Sequence, residues 1–114
     1  MNDLPHPIPG ELADVVAKRF RVLAEPMRIR LLDGLRDGSA TVSDLQRATS
    51  SSQQNVSKHL GVLLEAGFVS RAREGNFVRY EIADEAVFDL CEQVCGGIRR
   101  QLGELESIMQ GGAR

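Results

Sequence analysis

The sequence is poor in the residue types that mark several large classes of protein. It has no Trp, and aromatic residues make up 4% of its 114 residues, too few for the stacking platforms that single-stranded nucleic acids require. No apolar run approaches the length of a membrane span, and no signal peptide opens the chain. Two cysteines do not make a disulfide framework. We therefore expect a cytoplasmic protein without a membrane partner.

Motifs typical of enzymes are also missing from the sequence. There is no Gly-rich phosphate loop, nucleophile elbow or pair of carboxylates in a predicted cleft. Of the two histidines, His6 lies in a proline-rich opening segment and His59 in a polar helical segment. Cys91 would need a base and an orienting group to act as a nucleophile, and the sequence indicates neither. The chain is predicted not to be an enzyme.

The charge of the chain is unevenly distributed along its length. The formal net charge is −2, yet residues 83–114 carry six of the acidic residues and only three of the basic ones. The middle of the chain is therefore close to neutral or slightly basic. That distribution allows the middle, rather than the C-terminal part, to approach phosphate groups.

Apolar spacing predicts an order of four helices, a β-hairpin and a long final helix. Thr41 is the expected N-cap of the third helix, with Asp44 completing a variant capping box. Gly96-Gly97 is expected to bend or end the last helix. We expect a flexible arm over residues 1–10, one domain over 11–110 and a tail over 111–114. The predicted elements are helices at Glu11–Ala24, Met27–Leu35, from Val42, and from Ser50–Ser52 to about Ala66, strands at Phe68–Arg73 and Phe77–Ile82, and a helix from Asp84.

A helix-turn-helix followed by a β-hairpin is a winged helix, so the predicted fold is mainly α with a β-hairpin wing, in the order α-α-α-α-β-β-α. In this fold the fourth helix enters the major groove of DNA and the hairpin lies beside the backbone or the minor groove. Glutamine, serine and lysine side chains suit the hydrogen-bonding edges of bases or phosphate. The predicted partner is double-stranded DNA, and the predicted contacts are Ser52, Gln53, Gln54, Asn55, Ser57, Lys58 and His59 on the helix and Arg73, Asn76 and Arg79 on the wing. For His59, a structural hydrogen bond is an equally open interpretation.

Three linked segments resemble the ArsR/SmtB family of transcriptional repressors. Leu23–Leu32 resembles the family's Leu-Ala-Asp/Glu-Pro-x-Arg-x-x-Ile/Leu-Leu opening, and Ser52–Leu60 is similar to its Ser-Gln-x-x-Val-Ser-x-His-Leu signature. Leu63–Val69, followed by Arg73–Asn76 and Tyr80, is similar to the run into the family's wing. The resemblance covers about Leu12–Val94. It implies a homodimer that binds an inverted-repeat operator and represses transcription until an effector arrives.

The two familiar metal sites of that family lack matching residues in this sequence. The thiolate site of the third helix needs Cys-x-Cys, and no Cys lies in Ala40–Leu45. The zinc site of the last helix needs Asp-x-His and two later ligands. This chain has Asp84 and Ala86, with Gly97 and Arg100 at the later positions, and a single Asp does not hold zinc.

Cys91 and Cys95 remain as a candidate effector site on the final helix. Residues four apart share one face of a helix, with Cβ atoms about 5–6 Å apart, too far for an unstrained disulfide. Two thiolates at that spacing suit a soft ion such as mercury or a trivalent arsenical. The alternatives are that both pack as small apolar residues, or that they sense redox state through a disulfide between subunits. No cofactor is otherwise expected.

Two other functions remain open at this point. One is a repressor of the same type without a metal effector, either redox-responsive or constitutive. The other is a dimerisation module that no longer binds DNA. The polar helix and the arginine-bearing hairpin favour DNA binding over that second alternative.

Overall fold

The computed structural model describes residues 4–111, which contain five α-helices and one two-stranded sheet. The predicted order of helices and hairpin is confirmed, with ends shifted by one or two residues apart from the end of the last helix. The elements are α1 (Gly10–Leu23), α2 (Pro26–Gly34), α3 (Val42–Thr49), α4 (Gln53–Glu65), β1 (Val69–Glu74), β2 (Phe77–Ile82) and α5 (Ala86–Met109).

The chain divides into two compact units, one ending at Ala83 and the other beginning at Asp84. The first unit contains α1–α4 and the hairpin, and the second contains α5. The single domain expected over residues 11–110 therefore stays a prediction. The predicted arm and tail fall partly on residues 1–3 and 112–114, which lie outside the described residues.

The core of the first unit is aliphatic and comes mainly from α2, α3 and α4. Each helix places leucine or valine on one stripe, as its apolar spacing predicts. Side chains at these positions are almost fully buried, which favours the folded chain by about 1.5–3 kcal/mol each before conformational entropy is counted. The most deeply buried are Leu31, Leu32, Leu45, Val56, Leu60 and Leu63.

The two-stranded hairpin is joined by one bridge to the segment before α3. β1 and β2 pair in antiparallel register from Val69 opposite Ile82 to Glu74 opposite Phe77. Ala40, just before α3, forms a bridge with Tyr80, with N···O distances of 3.0 and 2.8 Å. The base of the wing is thereby fixed to the start of the helix-turn-helix.

Local capping sets the ends of α3 and α4. Thr41 Oγ1 accepts the Asp44 N–H at 3.1 Å and Asp44 Oδ2 accepts the Thr41 N–H at 3.0 Å, which confirms the predicted capping box. At the other end of α4, Gly67 has φ 85° and Phe68 N–H donates to the Leu63 carbonyl at 3.0 Å. That pattern is a Schellman motif, which needs a residue that tolerates positive φ.

The long last helix is continuous. Of the two alternatives for Gly96-Gly97, a bend or an end, the end is wrong, because α5 runs through both glycines to Met109. A glycine in a helix costs about 1 kcal/mol relative to alanine, which is not enough to interrupt a helix of 24 residues. None of the helices within residues 4–111 combines the length and hydropathy needed to cross a membrane.

Candidate nucleic-acid interface

A three-residue turn, Ser50–Ser52, separates α3 from α4 and sets their angle. Ser50 ends α3 in the left-handed region, with φ 54° and ψ 40°. Ser52 then caps α4, its Oγ accepting the Asn55 N–H at 3.1 Å. The turn thus ends α3 and begins α4 within three residues, and Gln53 and Gln54 in the first turn of α4 are exposed.

The helix α4 has a buried face and an exposed polar face. Val56, Leu60 and Leu63 are fully buried against the core. The opposite side consists of Gln53, Gln54, Ser57 and Lys58, all exposed, and we call these four residues the polar face. Ser52 is exposed beside it. Amide, hydroxyl and ammonium groups on one exposed side of a helix can meet base edges in a major groove.

Asn55 differs from the polar face in being half-buried. Its Nδ2 donates to Ser51 Oγ at 2.8 Å, so the side chain turns back toward the N-terminus of its own helix. Asn55 therefore holds the first turn of α4 in place. As a DNA contact it stays a prediction.

His59 lies inside the protein, with 7% of its surface exposed. Arg28 Nη1 lies 3.0 Å from its Nδ1, and Glu25 Oε2 lies 3.8 Å from its Nε2. A ring held in this way is not offered to a ligand at the helix surface. Its geometry supports the structural hydrogen bond rather than the DNA contact.

The register of the wing puts its two predicted arginine contacts on opposite faces. Arg73 pairs with Val78 and Arg79 pairs with Ala72, and side chains alternate between faces along a strand. Arg79 donates from Nε to Ser39 Oγ at 3.0 Å and from Nη2 to the Ser39 carbonyl at 3.2 Å, with Glu74 Oε1 at 3.8 Å. Arg79 thus fixes the wing to the segment before α3, whereas Arg73 is exposed.

The tip of the wing is a two-residue turn. Gly75 has φ 63°, and no positive φ occurs at Asn76, which is the sign pattern of a type II′ hairpin turn. Asn76 is exposed there, next to Phe77, whose exposure is 64%. The tip presents an amide and an aromatic ring to solvent.

Asp44, at the start of α3, has a pKa that its surroundings displace. Hydrogen bonding from the Thr41 backbone and then from its side chain holds the pKa of Asp44 below the ordinary value, against a smaller opposing effect of burial. Arg47, whose Nη2 lies 2.7 Å from Asp44 Oδ1, and Arg79 lower it further. The start of α3 therefore keeps a negative carboxylate beside two arginines.

The two cysteines lie on α5 with different exposure. Cys91 is half-buried and Cys95 is exposed, and both are free thiols. Within residues 4–111, no three or more His, Cys, Asp and Glu side chains are grouped closely enough to hold a metal ion. Any metal at this pair would therefore take two sulfurs from one chain and further ligands from elsewhere.

The sequence interpretation missed the contact of Arg19 with the residues that end α4. Arg19 lies 4.4 Å from the centre of the Phe68 ring and donates from Nη1 to the Ala66 carbonyl at 3.0 Å; no local spacing indicates that pairing. For His59 a signal did exist. Val56, His59, Leu60 and Leu63 follow the i, i+3, i+4, i+7 spacing of a buried stripe, which favours the structural hydrogen bond that the sequence analysis left open beside the DNA contact.

Comparison with known proteins agrees with this geometry. The family model "Helix-turn-helix domain" matches residues 23–71. A probable mercury resistance operon repressor from Streptomyces lividans is 37% identical over 83 residues, covering 73% of this chain and 66% of that protein. The transcriptional repressor SmtB of Mycobacterium tuberculosis is 39% identical over 80 residues, covering 70% and 59%. The match thus spans about three fifths to two thirds of these relatives.

Solved structures are similar over most of their length. A homodimeric winged helix-turn-helix DNA-binding domain from Mycobacterium bovis, described as a possible ArsR-family regulator, has a TM-score of 0.73 at 30% identity, covering 91% of this chain and 95% of that one. The antimony-specific transcriptional repressor AntR has a TM-score of 0.74 at 33% identity, covering 90% and 93%.

These similarities define the class as a winged helix-turn-helix protein, which confirms the predicted fold. The chain belongs to the ArsR/SmtB family of transcriptional repressors. The prediction that it is not an enzyme is confirmed by this membership.

Proposed function

We propose that this protein is a cytoplasmic, sequence-specific repressor that binds an inverted-repeat operator in double-stranded DNA as a homodimer. The observation that carries the proposal is the polar face of α4, which lies opposite a fully buried aliphatic stripe. A helix fixed by its apolar side and exposed on its amide-rich side is the part of a helix-turn-helix that reads the major groove.

The contacts divide by chemistry into base readers and backbone contacts. Gln53 and Gln54 are suited to adenine, whose N6 and N7 match an amide, and Ser57 pairs with any base edge. Lys58 suits guanine or phosphate, while Ser52 and the exposed Arg73 suit phosphate oxygens. Asn76 at the wing tip would meet the backbone or the minor groove.

Homodimerisation is supported by an apolar seam along α5 that is exposed in the single chain. Its side chains recur every three or four residues, and each exposes 36% to 61% of its surface. A two-fold dimer would cover this seam and place two copies of α4 about 34 Å apart, one turn of DNA. The seam residues are Leu90, Val94, Ile98, Leu102, Leu105 and Ile108.

For the effector, we propose a thiol-reactive metalloid or metal, such as a trivalent arsenical or mercury, bound by Cys91 and Cys95. The exposure of Cys95 gives such an ion access, and soft thiolates select soft ions. The similarity to a probable mercury resistance operon repressor and an antimony-specific repressor supports the same class. An effector that favours one dimer geometry by about 1–3 kcal/mol would weaken operator binding about 5–150-fold.

DNA binding is tested by fluorescence anisotropy of the reduced protein on the duplex upstream of its own gene and on a scrambled duplex. We expect Gln54→Ala with Ser57→Ala to weaken operator binding by about 1–3 kcal/mol per lost base contact. Gln110→Ala, which changes an exposed glutamine at the C-cap of α5 away from the apolar seam, is the matched control and should bind as the wild type does. Unchanged binding by the α4 double variant would remove the assignment of the polar face.

The effector is tested in the same titration with one equivalent of a trivalent arsenical or of Hg²⁺. Release of the wild-type protein, and no release of a Cys91→Ser, Cys95→Ser variant that still binds DNA, supports the thiol site. Tight binding that ignores both reagents would show that the cysteines are packing residues, and the repressor would stand without them. Release by an oxidant alone would favour redox sensing.

A further inference from the structure

Two polar residues are buried within the described part of the chain, and they are bonded in different ways. Thr49 Oγ1 donates to the Leu45 carbonyl at 2.7 Å, so its hydrogen bond stays inside α3. His59, in the middle of α4, is instead bonded across to α2 through Arg28. A buried hydrogen bond between elements fixes their relative position, whereas one within a helix does not.

Arg28 connects three helices at one point. Its Nε donates to the Val22 carbonyl near the end of α1 at 2.6 Å, where helix carbonyls lack partners of their own. Its Nη1 lies 3.0 Å from His59 Nδ1 on α4, and Arg28 itself belongs to α2. The planar guanidinium holds its donors in a fixed geometry, so the three helices are tied at defined angles.

The chemistry of this contact also fixes the tautomer of the neutral histidine ring. Arginine only donates, so Nδ1 of His59 is the acceptor and a neutral ring carries its proton on Nε2. That N–H faces Glu25 Oε2 at 3.8 Å. The same carboxylate oxygen accepts the Met27 N–H at 3.0 Å and caps α2. We call Glu25, Arg28 and His59 the α4 anchor.

The rest of the packing of α4 is aliphatic and does not fix rotation as strictly. Val56, Leu60 and Leu63 bury apolar surface, an effect that is not directional. Ser57 and Lys58 of the polar face immediately precede His59 in sequence. A rotation of α4 that broke the Arg28–His59 bond would therefore move these side chains at the protein surface.

We propose that Arg28 and His59 are positioning residues for DNA recognition, which set the rotation of the polar face without touching DNA. This inference rests on the proposed function, because it assigns a role in reading the operator. Without the α4 anchor, the chain folds and still attracts phosphate, but it discriminates less between its operator and other DNA.

The test compares four variants by their specificity ratio, which is the Kd for a scrambled duplex divided by the Kd for the upstream duplex. His59→Leu and Arg28→Met remove the contact. His59→Asn keeps an acceptor, because Asn Oδ1 lies as many bonds from Cβ as Nδ1 does. Thr49→Val is the matched control. Valine has nearly the same shape as threonine, and the change deletes a buried hydrogen bond that stays within one helix. Urea unfolding of each variant corrects for any unfolded fraction.

We expect His59→Leu and Arg28→Met to lower the specificity ratio about tenfold, comparable to one lost base contact, with scrambled-duplex affinity nearly unchanged. His59→Asn should restore most of the ratio, and Thr49→Val should leave it unchanged although it lowers stability. Equal ratios for His59→Leu and Thr49→Val would overturn the proposal, because the histidine would then be only a structural residue.

A measurement without DNA separates this proposal from the proposed function. In ¹⁵N NMR of the free protein, Nδ1 of His59 should be unprotonated and Nε2 protonated, and Arg28→Met should remove that preference. Amide exchange in α4 should then rise more than in α3. If the wild type shows no specificity but these signals appear, the anchor holds α4 and the proposed function fails. If α4 exchange is unchanged in Arg28→Met, the anchor itself is refuted.

Discussion

Ser50 is the only non-glycine residue with positive φ in the part of the chain that the structure describes. An L residue in the left-handed region costs about 1–2 kcal/mol, and β-branched residues are almost never found there. We expect Ser50→Val to lower the free energy of unfolding by about 1–2 kcal/mol, and Ser50→Gly to leave it unchanged or raise it by up to about 1 kcal/mol. Urea denaturation of the three proteins measures both.

Ser70→Val is the control for that comparison. Ser70 is exposed on β1, where extended backbone suits valine. A loss of stability there equal to that of Ser50→Val would mean that removal of a serine, rather than the backbone conformation of the turn, causes the effect.

Single residues also mark the limit of what the sequence predicts. The buried stripe of α4 is predictable from spacing, because the helical period fixes which side chains share a face. The partner of His59 is not, since Arg28 lies 31 residues earlier and nothing local brings the two together. In the same way, Arg79 binds Ser39 from 40 residues away. Such pairings appear only once the helices are packed.

At the scale of elements, the start of α3 depends on the ionised form of Asp44. Its pKa in the folded chain is below the ordinary value, so as pH falls the unfolded chain takes up the proton first. The stabilisation is therefore fully present above the unfolded pKa of about 3.9 and is lost as pH falls through the lower folded value. We expect the stability difference between wild type and Asp44→Ala to be constant from neutral pH to about pH 5 and to shrink below about pH 4.

Asp14→Ala, which removes an exposed carboxyl from α1, provides the baseline for this pH series. Urea unfolding at several pH values gives each difference. A difference for Asp44→Ala that grew as pH fell would have the wrong sign and would exclude the capping box as its source.

The wing shows how turn length decides the chemistry of an element. A three-residue turn at Glu74-Gly75-Asn76 was predicted from the sequence, and it would have placed Arg73 and Arg79 on one face. The structure has a two-residue turn with Glu74 opposite Phe77, and this one-residue change of register reverses the face of one strand relative to the other. The existence of the hairpin was predictable from its alternation, but its register was not.

The two wing arginines are therefore expected to respond differently to replacement by alanine. Arg73→Ala should weaken binding about equally on all DNA sequences and reduce the slope of log Kd against log salt by about 1, with little change in stability. Arg79→Ala loses its bonds to Ser39 and should lower the free energy of unfolding by about 1 kcal/mol. Anisotropy across a salt series and urea unfolding distinguish them, and identical behaviour would contradict the assigned register.

For the whole molecule, the features that could be predicted best from the sequence were those with a long regular period. The order of helices and hairpin follows from periodicity, and the family follows from three linked motifs. What α5 packs against cannot be read from one chain, because its apolar seam is exposed from Leu90 to Ile108. A helix with such a seam needs a partner surface to bury it. That partner surface belongs to the assembly, so it is not predictable from the sequence of one chain.

The dimer proposed above predicts a large effect of one charge in that seam. Leu102 has 60% of its surface exposed in the single chain. In a two-fold dimer the Leu102 side chains of both subunits would be buried. Removing about 1.5 kcal/mol or more of burial from each copy should raise the dimer Kd more than about a hundredfold.

We expect Leu102→Asp to sediment as a monomer at concentrations where the wild type is a dimer. It should also lose most operator affinity, since one subunit reads only one half-site. Ser107→Asp adds the same charge on the opposite, exposed face of α5 and should stay dimeric. Dimeric Leu102→Asp would place the subunit contact away from the α5 seam.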